Sequence, residues 1–526
     1  MPAFPKVLVR DMAPPRSRTE AATPSPARAY FLQGTDLLRQ GRYADAETCF
    51  RQALQFNADD ADVLNNLGNC VWQQGRSPEA LAYFLRAYQF KPHDFGVLNN
   101  LGIMLWEQNR PDRAVEFYQR ALRIQPDSFD TKMNLGVSLS DLGRFDEALV
   151  WLRGAVHERP HSADAWDNVG MTLARQGNWV EAMKHYDEAI RLRPDFGEAR
   201  RNRALGWLAH GDFARGFPES EWRLLCRNPP GYRFPRPRWD GSPLEGRTIL
   251  LHYEQGLGDT LQFIRFASQV KERGGKVWMF CQPPMVRLLS LCPELEFVTA
   301  PTTGVPQFDV HAPLLSVPSI LGTTLETLPP APYLAADAES IEQWRPVLRQ
   351  ALGVDDLKSV FTIGIAWQGS PKNHIDRWRS FPLAHFARLS QLPGVRLVSL
   401  QKGAGTEQIA NLPEPFPITT LDDRVPGGES RRDFLDTAAI MSLLDLVVTP
   451  ETAVAHLGGS LGLRTWVALS HVGDWRWMAT GDTCPWYPTA RLFRQPSLGD
   501  WDHVFRSIEK CVQQELAAHP CSARAS

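Results

Sequence analysis

Residues 61–94 read ADVLNNLGNC VWQQGRSPEA LAYFLRAYQF KPHD, and residues 95–128 read FGVLNN LGIMLWEQNR PDRAVEFYQR ALRIQPDS. Laid over each other, the two stretches match in phase. Gly68 coincides with Gly102, Ala80 with Ala114, Ala87 with Ala121, and Pro92 with Pro126. The same columns continue at a step of 34 through Gly34, Gly136 and Gly170, through Ala46, Ala148 and Ala182, through Ala53, Ala155 and Ala189, and through Pro160 and Pro194. The first unit alone departs, with Ala58 in the proline column. Self-similarity at a fixed period of this size signals helix pairs stacked into an array. Small residues mark where the two helices of a pair approach closely. Phe50, Phe84, Tyr118 and Tyr186 fill the space beside them, with Leu152 in the fourth unit. Proline near the end of the second helix forces the next turn, because the residue before it avoids helical dihedrals. Each pair buries its apolar face only by stacking on neighbours, which predicts an α-solenoid with a concave groove.

This pattern resembles the tetratricopeptide repeat. Residues 27–225 are expected to hold five repeats and capping helices, the sixth unit starting near Phe196 and degenerating after Gly211. Residues 1–26 carry six Pro and read as a disordered leader. A further column, Asn66, Asn100, Asn134, Asn168 and Asn202, lies two residues before each repeat glycine. Asn offers a donor and an acceptor, as a peptide unit does. Two readings stand: an acceptor groove for extended polypeptide, or a polar ladder tying neighbouring helices together.

Residues 226–246 are rich in Pro, Gly and Arg and read as a linker. Beyond them the pattern changes. Thr248–His252 reads as a buried strand, followed by a glycine turn, a helix from about Thr260 to Arg273, and a second strand, Lys276–Phe280. The alternation restarts at Phe361–Ala366 and runs to Trp466–Leu469. Two α/β halves follow, 247–345 and 346–512, each with an open, mostly parallel sheet, and then a tail, 513–526.

Three motifs carry chemistry. The turn after the first strand, Glu254-Gln255-Gly256-Leu257-Gly258-Asp259, lets backbone approach a ligand at a helix start. Leu261 stands where a dinucleotide fingerprint needs a third small residue, and Phe280-Cys281-Gln282 supplies no acid, which counts against NAD. Asp259 itself has two readings, a helix cap or a carboxylate at a ligand crevice. The second motif, Thr449-Pro450-Glu451-Thr452-Ala453-Val454-Ala455-His456, places a helix start after a strand, suited to a diphosphate. The third, Ala366-Trp367-Gln368-Gly369, is followed by a loop with Lys372, His374, Arg377 and Arg379, either anion-binding or simply solvated.

In this order, behind such repeats, the motifs resemble the glycosyltransferases of GT-B fold with two Rossmann-like halves, in their heptosyltransferase-like branch. The whole architecture is similar to the O-linked N-acetylglucosamine transferases. The resemblance covers roughly 27–512. It implies Asp259 as general base and Arg379, Thr452, Ala453 and His456 at the donor diphosphate. Gln401, Lys402 and Glu407 would face the nucleoside. Glu451 departs from the family's Asp. The implied reaction is inverting and metal-independent, with a nucleotide-diphosphate sugar as co-substrate, no other cofactor, and a polypeptide or glycan acceptor. In the O-linked N-acetylglucosamine transferases a similar Asn ladder holds extended polypeptide. The other reading is a repeat scaffold whose second region keeps the fold without the chemistry.

Composition sets the outer bounds. With 57 Lys+Arg against 59 Asp+Glu, the net charge of −2 gives no field to recruit nucleic acid or an anionic membrane. No segment reaches the length of an apolar membrane span, and no secretory signal is visible. None of the eight Cys forms a C-x-x-C pair, so reduced thiols in a cytoplasm are expected.

Overall fold

The structure, a computed structural model, describes residues 25–226, 230–371, 373, 375–421 and 433–518. The leader up to residue 24, Lys372, His374 and the tail beyond residue 518 lie outside the described residues. The chain divides into two compact units, Met1–Phe196 and Gly197–Ser526.

The first unit is helical. Its pairs are Pro26–Arg39 with Tyr43–Phe56, Ala61–Gln73 with Ser77–Phe90, Phe95–Glu107 with Pro111–Ile124, Phe129–Asp141 with Phe145–Glu158, and Ala163–Arg175 with Trp179–Leu192. The column reading of the glycines holds at atomic scale. A β-carbon on Gly34, Gly68, Gly102, Gly136 or Gly170 would stand 2.9, 2.7, 2.5, 2.5 or 2.7 Å from the side chain of Phe50, Phe84, Tyr118, Leu152 or Tyr186 respectively. Those five side chains are buried. Two further columns also keep the period. Asp60, Asp94, Ser128 and Ser162 cap the first helix of each later pair, accepting from backbone N–H groups of its first turn. Gly41, Gly75, Gly143 and Gly177 turn the chain between the helices of a pair at φ of 74, 79, 76 and 88°, and Asn109 takes that left-handed place in the third pair at φ 61°.

Polar ties link successive pairs. Trp72 Nε1 donates to Glu107 at 2.9 Å, and Trp106 Nε1 donates to Asp141 at 2.6 Å. Asp141 also pairs with Arg175 at 2.7 Å.

The second unit opens with helices Gly197–Ala209 and Phe213–Ser220. Two parallel sheets follow. The first contains β1 (Thr248–His252), β2 (Lys276–Phe280), β3 (Phe297–Thr299) and β4 (Val310–Pro313), in the order β3-β2-β1-β4. The second contains β5 (Phe361–Ile365), β6 (Val395–Ser399), β7 (Leu446–Pro450), β8 (Thr465–Leu469) and β9 (Ala490–Arg494), in the order β6-β5-β7-β8-β9. The fold is therefore a helical repeat solenoid followed by an α/β region. The five residues of β5, β7 and β8 are all buried, as expected for strands covered on both faces.

Three details differ from the sequence reading. The helix expected over Thr260–Arg273 breaks into Leu257–Phe263, a 3-10 turn, and Ala267–Lys271. The stretch 226–246, read as a linker, joins the first sheet where it is described. Trp239 N–H donates to His311 O at 2.8 Å and His311 N–H to Pro237 O at 3.0 Å, a parallel bridge along the outer edge of β4. Finally, Trp501–Ala518 is one helix that runs past residue 512, packing Phe505, Ile508 and Val512 into the core of the second sheet.

The halves of this unit are cross-linked. Arg265, buried, donates to Pro329 O and Trp486 O, and the N–H groups of Tyr333 and Leu334 donate to Ser460 O.

Candidate functional site

In each sheet the strand order reverses beside its first strand, between β1 and β4 and between β5 and β7. Open α/β sheets bind ligands outside the carboxyl ends of strands at such points. A cleft of about 760 Å³ lies there. Its walls come from the turns after β1 (Gln255–Asp259), β5 (Ala366–Pro371) and β7 (Glu451–Val454), so the three sequence motifs meet in one place.

Asp259 is the third residue of helix Leu257–Phe263, and Gly256 is its cap. Asp259 Oδ2 accepts from Gly256 N–H at 2.8 Å, so the capping role is real, although by reaching back from the first turn. Its Oδ1 accepts from Arg476 Nη2 at 2.5 Å. The two readings of Asp259 therefore coexist: it caps a helix and it lines the cleft.

Arg476 was not found from sequence. It stands 217 residues from Asp259, and no spacing rule connects them. Its guanidinium is held on three sides, Nε to Gln262 Oε1 at 2.7 Å, Nη1 to Asp474 Oδ1 at 2.8 Å, and Nη2 to Asp259. Burial disfavours its charge, but Asp474 and Asp259 outweigh this and hold its pKa above the usual range. Burial likewise pushes Asp474 up, and Arg476 brings it below the usual carboxylate value. The one available signal was composition: Asp474-Trp475-Arg476-Trp477 is a dense aromatic and charged run.

Past β7, Thr452 caps helix Ala453–Ser460, and its Oγ1 lies 3.0 Å from Thr449 Oγ1. The helix start opens on the cleft through Ala453 and Val454. Arg379 crosses from the turn after β5. Its Nη1 donates to Glu451 O at 3.0 Å and its Nε to Asp376 at 3.1 Å. Gly369 must be small here, because a β-carbon would stand 2.2 Å from Asp376 Oδ1 and 2.7 Å from Arg379 Nη2. Thus Arg379, Thr452 and Ala453 come together on one wall.

Glu451, which departs from the family's Asp, is held on the far side of the strand end. Its carboxylate turns away from the helix start into the loop after β8, accepting from Asp474 N–H at 2.6 Å and Ser470 N–H at 3.4 Å. Burial raises its pKa.

His456 also lines the cleft, but it is not a cation. Burial, with Arg476 nearby, lowers its pKa to about 3. Its ring lies between Gly258 and Trp477, whose ring centroid is 5.0 Å away, and its Nδ1 lies 3.0 Å from the Tyr487 hydroxyl.

The nucleoside-facing expectations are redistributed. Gln401 lines the cleft, yet its amide is fully engaged: Oε1 accepts from Trp367 and Gln368 N–H, and Nε2 donates to Gln368 O and Ala404 O. Lys402 remains on the wall, donating to Thr437 Oγ1 at 2.9 Å. Glu407 is absent from the lining, and its Oε2 accepts from Gly405 N–H at 2.8 Å, a loop-closing bond.

The Asn column divides. Asn100 donates to Asn65 Oδ1 of the preceding pair at 3.0 Å, as the ladder reading requires. Asn134 keeps a buried Oδ1 without a hydrogen-bond partner. Asn66 and Asn168 are half-buried, and Asn202 falls in the second unit.

Comparison with known proteins bears chiefly on the repeats. Models described as tetratricopeptide repeat match residues 31–95, 105–169 and 163–196. Protein FlbA of Caulobacter vibrioides is 26% identical over 339 residues, which cover 60% of this chain and 55% of that protein. The chain thus spans about half the length of this relative. Among solved structures, YrrB, titled a TPR protein with an unusual peptide-binding site, is 25% identical, covering 33% of this chain and 89% of its own, with a TM-score of 0.30. MamA from MSR-1 is 26% identical, covering 32% and 97%, also with a TM-score of 0.30. No described helix is long and apolar enough to cross a membrane. The N-terminal helix pairs of this chain are tetratricopeptide repeats.

Proposed function

We propose that this protein is a GT-B-type glycosyltransferase, moving a sugar from a nucleotide-diphosphate donor to a polypeptide or glycan acceptor held partly by the repeats. The observation that carries the reading is the convergence of Asp259, Arg379 and the helix start at Thr452–Ala453 on one cleft. Asp259 would take the proton of the acceptor hydroxyl as its oxygen attacks the anomeric carbon. A positioned base of this kind contributes about 10²–10⁴ in rate. Arg379 and the amides of Ala453 and Val454 would stabilise the departing diphosphate, with Lys402 alongside. The reading needs no metal, because these groups supply the positive charge. The work would take place in the cytoplasm, where nucleotide-sugars are made.

A second reading, a protein-binding scaffold, draws on one observation: both oxygens of Asp259 are already engaged, by Gly256 N–H and by Arg476. Thermal shift with UDP, GDP, ADP and their sugars separates the two. A ligand at 100 times its Kd adds about 2.7 kcal/mol of stability, so a response is expected. No shift with any nucleotide would favour the scaffold. Arg379→Ala should then weaken a diphosphate more than the free nucleoside, and equal losses in calorimetry would move the phosphates elsewhere.

A further inference from the structure

Two carboxylates share Arg476, and they are not engaged alike. Asp259 has both oxygens bonded, Oδ2 by Gly256 N–H and Oδ1 by Arg476 Nη2, and its side chain is 16% exposed. Asp474 gathers its bonds on one oxygen. Oδ1 accepts from Arg476 N–H at 3.1 Å and from Arg476 Nη1 at 2.8 Å. Among the described residues nothing bonds its Oδ2. The side chain is 31% exposed, and the residue lines the cleft.

The frame around this free oxygen is stiff. Asp474 caps the 3-10 turn Trp475–Trp477, and its own N–H donates to Glu451 Oε2 at 2.6 Å. With its main chain tied on one side and Oδ1 tied twice on the other, the carboxylate is held before any ligand arrives. Burial pushes its pKa up, but Arg476 outweighs this and keeps the group ionised. An ionised carboxylate accepts hydrogen bonds and donates none.

Its partner in the cleft must therefore donate. The diphosphate of a nucleotide-sugar has no proton to give at neutral pH and repels a carboxylate, which excludes it. Position favours the group next to it. Glu451 connects Asp474 to the wall proposed for the phosphates: its carbonyl oxygen accepts from Arg379 Nη1 at 3.0 Å, while its carboxylate accepts from Asp474 N–H. Asp474 follows β8 in the same sheet as that wall, whereas Asp259 reaches Arg476 from the other half. The group bonded to the terminal phosphate of a nucleotide-sugar is the sugar, and its hydroxyls donate. We infer that Asp474 Oδ2 accepts a hydrogen bond from a hydroxyl of the donor's glycosyl group, which makes Asp474 a specificity residue for the transferred sugar. The inference rests on the proposed glycosyltransferase reading. It divides the two carboxylates by task, Asp259 on the acceptor and Asp474 on the donor.

The test is calorimetry on the full-length protein with UDP, UDP-glucose, UDP-N-acetylglucosamine, ADP and ADP-glucose. Asp474→Asn keeps an oxygen for Arg476 and puts an amide, which donates, where Oδ2 stood. It should weaken the nucleotide-sugar that binds by about 10-fold or more relative to its nucleoside diphosphate, the range for a hydrogen bond to a charged group. Equal changes in both ligands would overturn the inference and leave the glycosyltransferase reading standing.

Analogues of the same nucleotide-sugar, each lacking one sugar hydroxyl, give a second arm that needs no variant. One of them should bind the parent about 10-fold more weakly or worse. In Asp474→Asn that analogue and the complete donor should bind alike. If every analogue binds the parent as tightly as the complete donor, or if the penalty persists in Asp474→Asn, the inference is wrong. If the parent binds neither nucleoside diphosphates nor nucleotide-sugars, the glycosyltransferase reading fails and takes the role of Asp474 with it.

Discussion

Gly258 and His456 touch across the two halves of the α/β unit: a β-carbon on Gly258 would stand 2.7 Å from Cδ2 of the imidazole. The glycine of the first motif is small because of the histidine of another. Helices Leu257–Phe263 and Ala453–Ser460 pack together at this point, and residues of both line the cleft.

Gly258→Ala should therefore cost about 1–3 kcal/mol, the usual range for overpacking. Gly256→Ala, two residues earlier, should cost about 1 kcal/mol or less, since its φ of −73° suits any residue and its β-carbon would meet only Asp259 Oδ2, at 3.3 Å. Urea denaturation of both variants measures the difference. Similar midpoints would show that the junction yields.

Asp259→Asn keeps an oxygen for the Gly256 N–H and removes the proton acceptor. Turnover on a competent acceptor should drop by ~10²-fold or more, with little change in nucleotide affinity. Full activity would leave Asp259 as a cap and an anchor for Arg476.

Arg476→Leu would leave Asp259 and Asp474 facing each other without their shared cation. Breaking a buried pair from one side costs about 3–5 kcal/mol. Arg476→Lys should lose less but still some, because an ammonium cannot bond Gln262, Asp474 and Asp259 in one plane. Thermal unfolding of the pair gives the order, and indistinguishable midpoints would mean that simple charge suffices.

His252 and His311 form a buried pair, Nε2 to Nδ1 at 3.1 Å. Burial, with His311 adjacent, lowers the pKa of His252 to about 3. The unfolded chain binds this proton below the usual histidine value and the folded chain does not. Stability is thus intact above about pH 6.5 and falls as pH drops from there towards 3. His252→Phe, which fits the ring cluster with Phe234, should flatten the slope of melting temperature against pH between 6.5 and 4.5. An unchanged slope would place the acid sensitivity in other groups.

In the repeats, Gly102→Ala drives a methyl into Tyr118 and should cost about 1–3 kcal/mol. Gly154→Ala, on an exposed helix face with nothing within 4 Å, should instead gain about 0.5–1 kcal/mol from helix propensity. Circular dichroism melts of both test whether the glycine column marks contact or mere composition.

The elements were legible because their signals are periodic or local. A column every 34 residues names a helix pair, and a strand followed by a glycine turn names a β–α step. The motifs after β5 and β7 converge because parallel strands of one sheet end on one side, and the motif after β1 meets them from the other sheet through the packing of helices Leu257–Phe263 and Ala453–Ser460. Arg476 was invisible because its partners lie far away in sequence. Gln401 lies where its strand end placed it, but the turns after β5 had already taken its amide, and only coordinates show that. Glu451 was seen as an outlier whose rotamer no pattern could give. His456 lines the cleft as its motif suggested, but the burial that lowers its pKa to about 3 comes from packing against Trp477 and Tyr487, which no spacing reveals.

The strip Pro237–Trp239 on the outer edge of β4 has a consequence for how the chain avoids sticking to itself. Val310–Pro313 is buried along its whole length, and an uncovered edge strand of this kind offers unsatisfied amides and carbonyls to any other chain that passes. The segment before the first sheet thus works as a guard rail. A fragment started at Glu245, after that segment, would expose a template for strand addition and would precipitate or form filaments, whereas one started at Gly197 would carry its own protection.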